Sequence, residues 1–137
     1  VRDIGFYIKL IAGALAALWG GLPVLVQVLI VLMAMDIATG MLSAFVNREL
    51  SSDVSWRGMA RKAIILLVVA CGVWIEPAVG LPIGAAVAGF YAAHEGLSIL
   101  ENVTRAGLPV PQVLRDALRK LSPEEAEGKR KLEEWRG

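Results

Sequence analysis

The chain has 137 residues, 56% of them hydrophobic and 20% charged, with a mean hydropathy of +0.60, where soluble domains hold roughly 45–50% apolar residues. This composition excludes a disordered chain, and the length suits one domain with no room for a second, catalytic one. Fourteen Lys and Arg against thirteen Asp and Glu leave a net charge of +1, which gives no basis for a nucleic-acid partner.

Charge is segregated along the chain. Between Leu10 and Val46 the only charged residue is Asp36, and between Ala63 and His94 the only formal charge is Glu76. A soluble helix of that length would carry a polar face at helical spacing, and Val24 to Met35 shows almost none, so the runs read as membrane spans. The one cysteine, Cys71, lies inside such a run. It excludes an intrachain disulfide and a thiolate metal cluster and is expected to pack.

The first apolar stretch is Ile4 to Trp19. Arg2 and Lys9 before it resemble a secretory signal, but a second apolar run follows after only Gly20-Gly21-Leu22-Pro23, which favours a membrane helix. At 1.5 Å per residue the stretch measures about 24 Å, short of the roughly 30 Å hydrocarbon core, so it either spans with adjustment or lies at the interface. The second stretch opens at Pro23, suited to a first helical turn, and runs to Val46, long enough to cross. Asn47 to Asp53 reads as a polar connection, with Asp53 or Ser55 expected to cap a third helix from near Trp56 to about Ile75. Glu76-Pro77 and Gly80-Leu81-Pro82 form a tight reversal, and a fourth helix runs from Ile83 to Ala106. Val110 to Leu121 reads as a short surface helix, and Ser122-Pro123-Glu124-Glu125 opens another with a capping box.

The fold class is therefore an all-α polytopic membrane protein with three or four transmembrane helices, a transmembrane domain over residues 1–121 and a charged helical tail over 122–137. From Arg105 onward the chain carries eight basic and six acidic residues, a pattern read as a solvated face, with weak headgroup contact the alternative. Basic residues stay cytoplasmic. Arg48, Arg57, Arg61 and Lys62 flank one connection, and Arg105, Arg115, Arg119 and Lys120 follow the last span, which places the C-terminus in the cytoplasm. Arg57, Arg61 and Lys62 read as an anchor at anionic headgroups. Trp19, Trp56 and Trp74 at stretch ends read as interfacial anchors.

A carboxylate at bilayer depth costs about 2.5–3.5 kcal/mol on insertion scales, so it faces a bundle interior or water. Asp36 and Glu95 sit thirteen and twelve residues into their stretches, both about 20 Å along, and are expected to share a layer. No lysine or arginine is expected at that depth, which leaves protonation, hydrogen bonding or an aqueous path. Gly84, Ala88, Tyr91, Glu95, Ser98 and Asn102 recur at steps of four and three, a helix-packing seam, with Glu101 beside Asn102. Asp36, Thr39, Gly40 and Ser43 form a matching stripe. Small residues let helices approach in lipid, and Ser or Asn bond across the contact. These stripes are candidates for association within or between subunits, or for lining a pore; mutual satisfaction in a static bundle is the plainer reading. His94 without a second imidazole does not suggest a metal site. No catalytic residue, cofactor motif or metal motif is present.

Three stretches carry a resemblance. Met35-Asp36-Ile37-Ala38-Thr39-Gly40 leads through Ala44 to Leu50-Ser51-Ser52; Gly58-Met59-Ala60-Arg61-Lys62 opens the next span; Phe90-Tyr91-Ala92-Ala93-His94-Glu95-Gly96-Leu97-Ser98-Ile99-Leu100-Glu101-Asn102 runs into Gly107-Leu108-Pro109-Val110-Pro111. In that order the chain resembles the phage lysis and toxin secretion holin family, over roughly Leu25 to Leu121. His94 stands where that family more often has Asn. The resemblance implies a non-enzymatic protein of the bacterial cytoplasmic membrane, a homo-oligomer in the lipid bilayer whose lesions release an endolysin or a toxin. A small ion or solute channel or transporter subunit, using the same carboxylates as a ring, and a membrane scaffold recruiting a partner through its tail are the alternatives.

Overall fold

The computed structural model describes residues 2–49 and 52–121, and every regular element among them is an α-helix. Five helices follow in order: α1, Arg2–Gly21; α2, Val24–Val46; α3, Ser52–Val79; α4, Ile83–Arg105; and α5, Gln112–Leu121. The first four are long and apolar enough to cross a membrane. The tail from Ser122, with its expected capping box, lies outside the described residues.

Several boundaries differ from the sequence reading, each for a local reason. Helix α1 has 20 residues, about 30 Å, because Arg2, Asp3, Gly20 and Gly21 all join it; by length it can span. Pro23 caps α2 instead of opening it, its carbonyl accepting from the amides of Val26 (2.9 Å) and Gln27 (3.1 Å). Helix α3 begins at Ser52, a full turn before Trp56, so Asp53 and Ser55 lie within it instead of capping it. It also runs through Glu76 and Pro77. Proline forfeits one amide there, and the reversal is confined to Gly80, Leu81 and Pro82, with Gly80 in the left-handed region at φ 72°.

Helices α2 and α4 end alike. After α4, Gly107 (φ 88°) donates to Thr104 and Leu108 donates to Val103, the paired bonds of a Schellman motif. After α2, Arg48 donates to Phe45 and Glu49 to Ala44, but the left-handed position at φ 57° is held by an arginine. Asn47 Nδ2 then donates to the carbonyl of Arg105 at 3.1 Å, tying the two ends together.

Helix α4 is the centre of the bundle. Leu25 lies over Gly89, Asn102 over Gly40 and Asn47 beside Arg105, so α2 runs parallel to α4. Helix α3 is antiparallel: Gly72 meets Gly84 while Lys62 meets Glu95. A Cβ on Gly84 would stand 2.7 Å from the Val73 amide nitrogen and 2.9 Å from its Cα, so only glycine permits this backbone approach. The core is Val26, Leu29 and Met33 of α2, Ile65 and Val69 of α3, and Ala88 and Ala92 of α4. Alanines on the central helix let both neighbours close over it.

Helix α5 doubles back. Arg115 donates to Thr104 Oγ1 at 2.9 Å, and the Leu118 side chain fills the space over Gly96, so α5 runs antiparallel along the end of α4. Helix α1 stands apart, exposed from Asp3 to Gly21. Its corner with α2 is fixed by Gln27, whose Nε2 donates to the carbonyls of Trp19 (3.0 Å) and Leu22 (3.1 Å). Cys71 is exposed on α3, contrary to its expected packing: the buried positions of that face are Ile65, Val69 and Gly72, and Cys71 falls off that spacing.

An ionic layer across three helices

One turn beyond the apolar core, each of the three packed helices contributes a charge. Asp36 follows Met33 by three residues, Glu95 follows Ala92 by three, and Lys62 precedes Ile65 by three on the antiparallel helix. The same faces that bury the core therefore bring all three together. Lys62 Nζ lies 2.8 Å from Asp36 Oδ2 and also donates to Glu95 Oε2. Glu95, with 4% of its side chain exposed, is buried, while Lys62 at 14% and Asp36 at 13% are largely shielded.

This corrects the expectation that no basic residue reaches the carboxylates. Lys62 belongs to the ionic layer, while Arg57 and Arg61 are exposed. The depth follows from the helix limits. Asp36 is ten residues from the end of α2, Glu95 ten from the end of α4, and Lys62 ten from the start of α3, each about 15 Å in. An isolated carboxylate in hydrocarbon is costly, and a shared ammonium offsets much of that cost.

Asn102 extends the layer. Its Nδ2 donates to Asp36 Oδ1 (2.9 Å), to Thr39 Oγ1 (3.2 Å) and to the Asp36 carbonyl (3.3 Å), while Thr39 Oγ1 donates to that carbonyl at 3.1 Å. Both Asp36 oxygens are thus engaged, one by lysine and one by asparagine. Gly40 gives Asn102 its room: a Cβ there would touch the Asn102 amide at 3.4 Å.

The other residues singled out from sequence divide. Gly84 and Ala88 are buried in the half of the seam nearer the start of α4, Tyr91 and Ser98 are half-buried, and Ser43 is fully buried with its hydroxyl unpartnered among the described residues. Glu101 is exposed and lines a cleft between α4 and α5, away from the ionic layer. His94 is half-buried and engaged in an interaction of its own. No group of three His, Cys, Asp or Glu that could hold a metal occurs among the described residues.

Glu76 has a role the sequence reading missed. Its Oε1 accepts from the amides of Gly84 (2.7 Å) and Ala85 (3.3 Å), placing a carboxylate on the N-terminus of α4, where free amides and the helix dipole favour it. The available signal was a lone acid just ahead of an apolar helix.

A family model described as the bacteriophage holin family matches residues 13–123. An uncharacterized protein of Clostridium perfringens is 34% identical over 110 residues, covering 77% of this chain and 80% of the relative. One of Listeria monocytogenes is 38% identical over 103 residues, 74% of each chain. A probable holin of Bacillus phage phi105 is 37% identical over 94 residues, 67% of this chain and 70% of the phage protein. No solved structure matches. Four apolar helices and a match over most of the length converge on one conclusion: this membrane protein belongs to the bacteriophage holin family.

Proposed function

We propose that the protein is a holin that accumulates in the bacterial cytoplasmic membrane as the compact subunit described above. Above a critical density it then oligomerises into lesions through which an endolysin, or a toxin, leaves the cell. It acts without catalysing a reaction, and its functional partner is the released enzyme, with which no stable complex forms. The basic residues Arg48, Arg57 and Arg61 around the start of α3 and those that follow α4 set the orientation, with the C-terminus cytoplasmic.

The observation that carries this reading is the shared ammonium of Lys62 between Asp36 and Glu95. The carboxyl groups of Asp36 and Glu95 share Lys62 only while α2, α3 and α4 stay together. Separation of the helices leaves charges that lipid does not tolerate and that water or a neighbouring subunit does. Compact monomer and wet oligomer are therefore the two arrangements that satisfy the group. The membrane potential biases the choice by about 2.3 kcal/mol per charge per 100 mV if a charge moves through the field.

The test is controlled expression in a bacterium carrying a cytoplasmic reporter enzyme, with reporter access to the periplasm as the readout. Passage of the folded reporter after a delay supports the proposal; selective small currents without protein passage favour a channel. Asp36→Asn with Glu95→Gln is expected to shift the onset of lysis in cells that also make an endolysin. Unchanged timing in that double variant rejects the role given to the carboxylates.

A further inference from the structure

At the end of α4 opposite the Glu76 cap, a cleft of about 350 Å³ opens between α4 and α5. Arg105, Arg115 and Arg119 line it, together with Glu101, Thr104 and Leu97. Three guanidinium groups face one carboxylate, an excess of two positive charges. None of the three makes an ion pair among the described residues, although Glu101 lines the same cleft.

The cleft is held open by its own bonds. Thr104 Oγ1 donates to the Leu100 carbonyl at 2.8 Å and accepts from Arg115 at 2.9 Å, which fixes one guanidinium against α4. Leu118 seats over Gly96 and fixes the spacing of the two helices. The buried Leu97, 4% exposed, supplies an apolar wall. Beside the cleft, α5 turns outward Val113, 81% exposed, and Leu114, 47% exposed. These two side chains leave an apolar strip of α5 open beside the arginine-lined cleft.

We infer that this cleft binds the headgroup of an anionic phospholipid, its phosphodiester held by Arg105, Arg115 and Arg119 and its acyl chains covering Val113 and Leu114. Guanidinium matches phosphate oxygens in paired hydrogen bonds, and basic pockets at the ends of membrane helices take such headgroups. A free phosphate has the same charge chemistry but makes no use of the apolar side of α5. The bound lipid would strap α5 to α4, and the site does not depend on lesion formation.

The test uses the full chain in neutral detergent, with lipid retention followed by native mass spectrometry during titration with phosphatidylglycerol, phosphatidylcholine or inorganic phosphate. The protein is expected to retain phosphatidylglycerol in preference to phosphatidylcholine, and millimolar inorganic phosphate is expected to leave it in place. Arg115→Gln with Arg119→Gln is expected to weaken phosphatidylglycerol binding roughly 30-fold, the factor that corresponds to about 1 kcal/mol for each arginine. Arg115→Lys with Arg119→Lys keeps the charge and is expected to retain the lipid preference, with helicity by circular dichroism matching in both pairs. Three results overturn the inference: unchanged binding in the glutamine pair, an equal loss in Arg57→Gln with Arg61→Gln at the other basic cluster, or full displacement of lipid by inorganic phosphate.

Discussion

Replacing Lys62 with methionine keeps an unbranched stem of about the lysine's apolar length and removes the ammonium from between Asp36 and Glu95. At the 2.8 Å separation from Asp36, an effective dielectric of ~20 gives about 6 kcal/mol of attraction, much of it offset by the cost of desolvating the charges. The loss is larger than the net worth of the pair, because two carboxylates stay behind in a place built for three charges. Removing one partner of a buried ion pair costs about 3–5 kcal/mol, a large part of the roughly 5–15 kcal/mol that holds a typical domain folded. Denaturant unfolding of the detergent-solubilised protein, followed by circular dichroism, measures it directly. Glu95→Gln alone is expected to cost about 1 kcal/mol, the loss of one hydrogen-bonded partner, since Asp36 and Lys62 remain a neutral pair. The triple variant Asp36→Asn, Lys62→Met, Glu95→Gln is expected to recover most of the stability lost by Lys62→Met. If Lys62→Met unfolds within about 0.5 kcal/mol of the unaltered protein, or if the triple variant is as unstable as the single one, the ionic layer does not hold the three helices as argued.

Gly84→Ala is expected to destabilise by about 1–3 kcal/mol, because the added methyl meets the Val73 backbone and cannot be absorbed by a rotamer change; a disulfide-trapping survey of α3–α4 cysteine pairs would show the altered spacing. Ser43→Ala removes an unpartnered buried hydroxyl and is expected to raise stability by about 1 kcal/mol in the same unfolding assay. Arg48→Gly relieves a left-handed backbone position at the end of α2 and is expected to stabilise by about 1 kcal/mol. Glu76→Gln weakens the carboxylate cap on α4 and is expected to cost about 1 kcal/mol, read as faster amide exchange at Gly84 and Ala85.

The legible parts of the sequence were those where one physical signal dominates. Long apolar runs opening at Pro23 and at Ile83 located α2 and α4 to within a residue, and counting from those starts put Asp36 and Glu95 at one depth. The start of α3 was hidden because residues 52–55 are mostly polar, and hydropathy takes a polar first turn for a loop. That error of one turn moved Lys62 from the third turn of the helix to its second and made it look interfacial. An antiparallel partner also brings its charge from the opposite direction in the sequence, so no motif spacing links Lys62 to Asp36 and Glu95. Glu101 shows the converse limit: it neighbours Asn102 in the chain, yet the 100° step between consecutive helical residues turns it to the α5 side.

The crowding of alanine and glycine on α4 makes tolerance to substitution uneven across the molecule. Helix α4 touches α2, α3 and α5 through Gly84, Ala88, Ala92 and Gly96, so an enlarged side chain at those sites presses on a neighbour. On α1, whose glycines have open space where a Cβ would go, the same enlargement meets no protein atom. Added bulk is thus expected to be tolerated least along the fourth helix and most along the first.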